Sequence, residues 1–188
     1  MARILDSFRR ELPEPNLTYN VGVIGGGTPA AIDADGFRVT ASGKTNITAE
    51  TAIARGDIRA LTPEQEARVR ARMQAIVAQH LPRTEASLVF SEDGYPPMAP
   101  TAGNRALLAR LNLVNRDLGL AEMPEYDPAK RGAADSSFVA GDADTLAGMG
   151  AAGGNAHAEG EWIALDSLAR QAKRAAILMT RLSREPQP

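Results

Sequence analysis

The residues best suited to chemistry lie in one loop. Residues 149–163 read Met-Gly-Ala-Ala-Gly-Gly-Asn-Ala-His-Ala-Glu-Gly-Glu-Trp-Ile, so His157 stands in a glycine-rich run followed by Glu159, Glu161 and the chain's one tryptophan, Trp162. Glycines on that scale let backbone come close to a ligand, and loops on a rigid scaffold are where binding groups concentrate. A neutral imidazole there is suited to ligate a metal ion. The plainer reading of the same run is a surface loop with an incidental histidine.

Composition decides how much company His157 has. The chain has 188 residues, 2 histidines and no cysteine, which excludes disulfides, thiolate metal sites and any site built from several imidazoles. Any metal here must be held by His and carboxylates, so either the chain is not a metalloenzyme or part of the site comes from elsewhere. The net charge of -2 and the scattered arginines give no footprint for nucleic acid. No apolar run approaches the roughly 18 residues needed to span a bilayer, so no membrane partner is expected. Hydrophobic residues make 44 % and aromatics 4 %, so the core must be aliphatic. No leader is visible, and the lack of cysteine suits cytoplasm or periplasm alike, with cytoplasm the expectation.

The elements that must position the loop follow from periodicity. Ile4, Leu5 and Phe8 have helical spacing and end at Pro13, and the bare start at Met1, with no capping residue, suggests a preceding element. Leu17, Tyr19, Val21 and Val23 alternate as one face of a strand that Gly25, Gly26 and Gly27 end. A short hairpin is expected around residues 37–40. Residues 51–61 alternate again, with Ala52, Ala54, Gly56 and Ile58 inward. Thr62, Pro63 and Gln65 open a helix as a capping box, and Val69, Met73, Ile76 and Val77 form its buried stripe. That helix ends near His80, which faces the negative end of the helix dipole and carries no function. Residues 85–92 form a further strand, with Ala86, Leu88 and Phe90 on one face. Helix, strand, strand, helix, strand is a split β-α-β plan without its first strand.

Residues 93–100, rich in proline, divide 1–92 from 93–188. A helix over 104–119 buries Leu107, Leu108, Leu111 and Val114 and stops at Gly119. A short strand is expected around 145–149. After the His157 loop comes a closing helix, capped by Asp166, with Leu168, Ala172, Ala175, Met179 and Leu182 buried and Trp162 a core anchor. Residues 185–188 are expected to be disordered. The second half thus reads as the closing helix-strand-helix portion of an α/β layered domain.

Three patches fall in one order: Gly25-Gly26-Gly27 with Asn46 and Gly56-Asp57-Ile58-Arg59; then Gly132-Ala133-Ala134-Asp135; then Gly153 through His157 to Glu161. From about residue 5 to residue 182 this order resembles the C-terminal part of the zinc-dependent M20 peptidases, the group of glutamate carboxypeptidase. The resemblance implies an incomplete ferredoxin-like lid at 1–92, forming a homodimer, and the returning end of the catalytic α/β domain at 93–188. It implies that His157 is the last zinc ligand of a two-zinc site. It implies that Asn46 and Arg59 hold the carboxylate of a peptide or N-acyl amino acid. Arg offers a planar fork of donors for such a group and Asn an amide N–H. Without the resemblance, Asn46 is a turn residue and Arg59 a strand-face partner of Asp57. Asp135 matches the acid of a Gly-Gly-Thr-Asp-like turn and is structural or positions a ligand. Ala134 stands where threonine is usual, so a hydroxyl contact is lost.

The family's other zinc ligands and its general-base glutamate have no counterpart in this sequence. A catalytic zinc needs about three protein ligands and an open position, so the chain by itself is expected to be inactive. The alternative is a non-catalytic module for dimerisation or for binding a small carboxylate.

Overall fold

The computed structural model describes residues 1–185. The expected disordered tail at 186–188 lies outside the described residues. Glu185 accepts from Arg110 at two positions, Nε at 3.0 Å and Nη2 at 2.7 Å, so at that residue the tail reading is corrected.

The architecture is mixed α and β, with four α-helices and three two-stranded antiparallel sheets among the described residues. It divides into two compact units, Met1–Pro97 and Met98–Pro188.

In the first unit α1 (Ala2–Glu11) and α2 (Pro63–Ala78) pack side by side over one apolar cluster. Phe8 and Leu12 of the first helical stretch meet Val69, Met73, Ile76 and Val77, the stripe expected from spacing. Thr62 caps α2 by accepting from the Gln65 amide at 3.1 Å, and Pro63 takes the first turn, where its missing N–H costs nothing. Gln65 then ties three segments together. Its carbonyl accepts from the Leu61 amide at 2.7 Å and its amide donates to the Pro15 carbonyl at 3.0 Å.

Beneath the helices β1 (Thr18–Gly27) and β4 (Thr51–Arg59) run antiparallel, from Thr18 opposite Arg59 to Gly27 opposite Thr51, with an irregularity between Val21 and Val23. Gly25 to Gly27 were expected to end the strand, yet they continue it. A Cβ on Gly26 would sit 3.2 Å from the Thr51 carbonyl, so the glycines permit a close approach that side chains would obstruct. The short hairpin is present as β2 (Ala30–Ile32) and β3 (Val39–Ala41), turned by the Asp33 carboxylate, which accepts from the amides of Phe37 and Arg38 at 2.9 and 3.2 Å. Residues 85–92 are not a hydrogen-bonded strand, although Ala86, Leu88 and Phe90 pack on the helix core as their alternation required.

The carboxyl of Glu14 is held below the usual carboxylate range by hydrogen bonds from Gln65 and from Arg68, whose Nη2 donates at 2.9 Å. A lowered native value stabilises the fold above the unfolded pKa, and that stabilisation disappears as pH falls through the native one. Wild type should therefore lose more stability than Glu14→Gln on acidification from about pH 5 to pH 3. Parallel melting curves across that window would show it; identical pH profiles would contradict the pairing.

The second unit is built on α3 (Ala102–Asp117) and α4 (Leu165–Leu182), joined through Leu111, Val114 and Leu178. Thr101 caps α3 by accepting from the Asn104 amide at 3.0 Å, and Gly119, at φ +68, ends it as expected. Gly103 admits the Asp144 carboxylate, which a Cβ there would overlap. That places a negative charge at the positive end of the helix.

Two expectations fail in this unit. Residues 145–149 form no strand, although Leu146 and Met149 pack on the core. The buried side of α4 is also rotated in part: Ser167, Arg174 and Leu178 are buried and Leu182 packs on the core as expected, while Leu168 is 49 % and Met179 65 % exposed. The helix is apolar on two sides, and α3 covers only the Leu178 side. No helix among the described residues is long and apolar enough to cross a membrane.

Candidate functional site

His157 lies in the turn between β5 (Gly153–Gly154) and β6 (Trp162–Ile163), strands of two residues each. The base of this hairpin is tied to the start of α4. Ser167, fully buried, accepts from the Ala152 amide at 2.8 Å and donates to the Ala164 carbonyl at 2.6 Å, and the Ala164 amide reaches the Ala152 carbonyl at 2.9 Å. Asp166, expected as the cap of α4, instead stands in its first turn, 3.7 Å from Arg170. Ser167 was not singled out from the sequence, since a serine two residues into a helix carries no special signal.

The loop itself is tightly turned. Asn155 and His157 have φ of 57° and 63°, a left-handed conformation uncommon for residues with a Cβ, and Gly160 has φ 77°. Backbone of this kind persists where surrounding bonds hold it. Here Ala158 donates to the Asn155 carbonyl at 3.0 Å and Glu161 to that of Ala158 at 3.2 Å. The imidazole is thereby presented to solvent on a turn rather than packed.

Trp162 is not the core anchor expected. It is 55 % exposed, and its ring lies over Gly154, where a Cβ would sit 2.7 Å from the indole nitrogen. A large aromatic over a glycine stiffens the hairpin without entering a core. Asp135 opens a short 3-10 turn, Asp135–Phe138, and is exposed. Two residues further on Ser137 is buried, its hydroxyl without a hydrogen-bond partner.

In the first unit Arg59 donates through Nε to Asp57 at 2.9 Å, with both side chains about half exposed. Asn46 sits in the turn closed by Ile47 donating to the Lys44 carbonyl at 3.1 Å. Lys44 and Ile47 border an open cleft of about 360 Å³ with Gly26, Gly27 and Ser42. Those glycines pair with Thr51 and Ala52, whereas Arg59 pairs with Thr18 at the other end of the ladder. Eight steps of extended strand, on the order of 26 Å, separate the two ends. The structure therefore does not bring Asn46 and Arg59 of one chain to the same point. Lys44, beside the cleft, was missed because a single lysine in a polar loop carries no sequence signal.

A metal requires converging ligands, and among the described residues no group of three His, Cys, Asp or Glu could hold one. His157 offers one neutral nitrogen, so the residues present do not by themselves fit a catalytic zinc.

No curated protein and no solved structure matches the chain. Residues 1–85, which contain α1, β1 to β4 and α2, match the family model of the peptidase dimerisation domain, M20_dimer.

Proposed function

We propose that the chain is a portion of an M20-type zinc peptidase or amidohydrolase of the glutamate carboxypeptidase kind, contributing a dimerising lid and one imidazole of the metal site. The observation that carries this reading is the dimerisation-domain match over residues 1–85. The helix pair α1–α2 over an antiparallel β1–β4 sheet supports it. In this reading His157 is one zinc ligand, Asp135 is structural or positions a ligand, and the remaining ligands and the general base lie on residues outside this sequence. Dimerisation uses the first unit, where the outer edge of β1 leaves a row of backbone donors and acceptors open to a second copy.

A second reading, a non-catalytic dimerisation or carboxylate-binding module, is favoured by the lack of a three-ligand cluster among the described residues. Hydrolysis separates the two. On the first reading, the chain combined with a part carrying the missing ligands cleaves peptidyl or N-acyl amino acids in the presence of zinc, and the isolated chain does not. No hydrolysis after such reconstitution would favour the second.

Arg59 and Asn46 are proposed as carboxylate-binding residues of the complete enzyme. Because Arg59 stands at one end of the β1–β4 ladder and the loop of Asn46 borders the other, this reading takes the two residues on one carboxylate from different copies. Arg59→Lys replaces a two-pronged fork by a point charge, and each of Arg59→Lys and Asn46→Ala should cost about 1.5–3 kcal/mol in kcat/KM. A double-mutant cycle then reads their relation. A coupling of about 0.5 kcal/mol or more places both on one group, and additivity places them on separate ones. If both single changes leave kcat/KM unaltered, the residues do not bind substrate.

A further inference from the structure

Among the described residues, Arg174 of α4 is the only charged residue that is buried, at 7 % exposure. None of the ion pairs of the second unit includes it. Its Nη1 donates only to neutral groups, the Gln171 Oε1 at 2.6 Å and the Met123 Sδ at 3.5 Å. Nε and Nη2 make no hydrogen bond among the described residues, and of the two only Nε is enclosed. A guanidinium keeps its proton in a protein, so its burial is not relieved by losing the charge. Arg70 shows the ordinary solution: its Nε is likewise enclosed without a partner, but its Nη2 meets Glu66 at 2.5 Å. Arg174 has the burial of a paired arginine and lacks the pair.

The guanidinium is held from two sides. Gln171, one turn earlier on α4, donates through Nε2 to the Gly150 carbonyl at 2.7 Å, which leaves its Oε1 for Nη1. Met123 is fixed through its backbone: its amide donates to the Asn112 Oδ1 at 2.8 Å, and its carbonyl accepts from the Asn112 Nδ2 at 2.9 Å. Nη1 is thus occupied, and the Nε–Nη2 edge is the one left for a ligand. Two N–H groups on one edge of a guanidinium match the two oxygens of a carboxylate. The acids near Met123 are engaged elsewhere, Glu122 with Arg116 at 3.4 Å and Glu125 with Arg105 at 2.9 Å. The loop that touches Arg174 therefore does not supply its counter-ion.

We propose that the Nε–Nη2 edge of Arg174 is a binding site for a carboxylate from outside its own chain, either a free monocarboxylate or a carboxylate of a second copy. Entry is at Nη2, the atom that is not enclosed, and Nε becomes the second donor as its cover yields. The groups that touch the guanidinium, a thioether and an amide oxygen, add no further positive charge. One fixed cation matches one negative charge, so a carboxylate is favoured over phosphate, which carries more than one charge near pH 7. Pairing also removes the cost of an uncompensated buried charge, which gives the ligand its hold. The peptidase reading assigns Arg174 no role, and the site does not depend on that reading.

The probe is sodium acetate, added to the full chain at constant ionic strength set with chloride. The reading is the Nε–Hε resonance of Arg174, assigned through its own backbone. The expected result is a saturable shift with half-saturation between about 0.1 and 10 mM, the range open to a ligand of acetate's size. At ten times the half-saturating concentration, the ratio of folded to unfolded chain should rise about tenfold. Inorganic phosphate should act more weakly, and Arg174→Gln should lose the acetate-dependent gain in stability. If that variant does not fold, the wild-type titration decides alone. Chain concentration separates the two sources. A shift that needs acetate at every chain concentration assigns the site to a free carboxylate, and one that grows without acetate as the chain is concentrated assigns it to a second copy. The proposal is overturned if neither acetate up to about 100 mM, ten times the upper expected value, nor chain concentration moves the resonance. It is also overturned if phosphate acts as strongly as acetate, or if a folded Arg174→Gln chain responds like wild type.

Discussion

Phe8→Ala is expected to destabilise the first unit by about 3–5 kcal/mol, the usual cost of removing a buried ring together with the cavity it leaves. Phe8 is 6 % exposed and packs with Leu12, Val69, Met73 and Ile76, so α1 is held to α2 largely through it. Val89→Ala, at a side chain 88 % exposed, should lie within about 0.5 kcal/mol of wild type. Denaturant titration of both variants checks the contrast. A Phe8→Ala midpoint equal to that of wild type would show that α1 does not belong to this core.

The second large effect concerns His157. On the proposed reading, His157→Ala in a zinc-loaded, reconstituted enzyme should lower zinc occupancy and reduce kcat by more than about a hundredfold, since loss of a ligand exceeds the effect of disturbing a ligand's supporting contacts. The fold should survive, because the loop's attachment runs through Ser167, Ala152 and Ala164 rather than through the imidazole. The variant should even ease the backbone when made as His157→Gly, as φ 63° suits glycine. Metal content measured beside activity is decisive. An active variant with full zinc occupancy would remove His157 from the site.

The first unit was legible from local signals. The capping pair Thr62 and Gln65 and the stripe Val69, Met73, Ile76 and Val77 depend on spacing along one helix, which a sequence displays directly. The closing helix was misread for the opposite reason. Its residues offer two apolar sides, and only the location of α3 decides that Leu178 goes inside and Met179 stays out. Strand pairing failed in the same way: the alternation of Ala86, Leu88 and Phe90 shows which side is buried but not whether a neighbour exists. For the candidate site, His157 stood out because histidines are scarce, and its turn was foreshadowed by glycines. The left-handed backbone of Asn155 and His157 was not, since neither residue type demands it. The separation of Arg59 from the cleft beside the Asn46 loop follows from ladder register, which residue types cannot reveal.

A first unit that acts as a dimerising lid should dimerise in the purified chain, and sedimentation tests that most directly. At tens of micromolar, a range in which interfaces of micromolar affinity are occupied, the account predicts a species of twice the chain mass. That species should dissociate on dilution. A single monomeric boundary across the whole concentration range, with the chain folded, would contradict it.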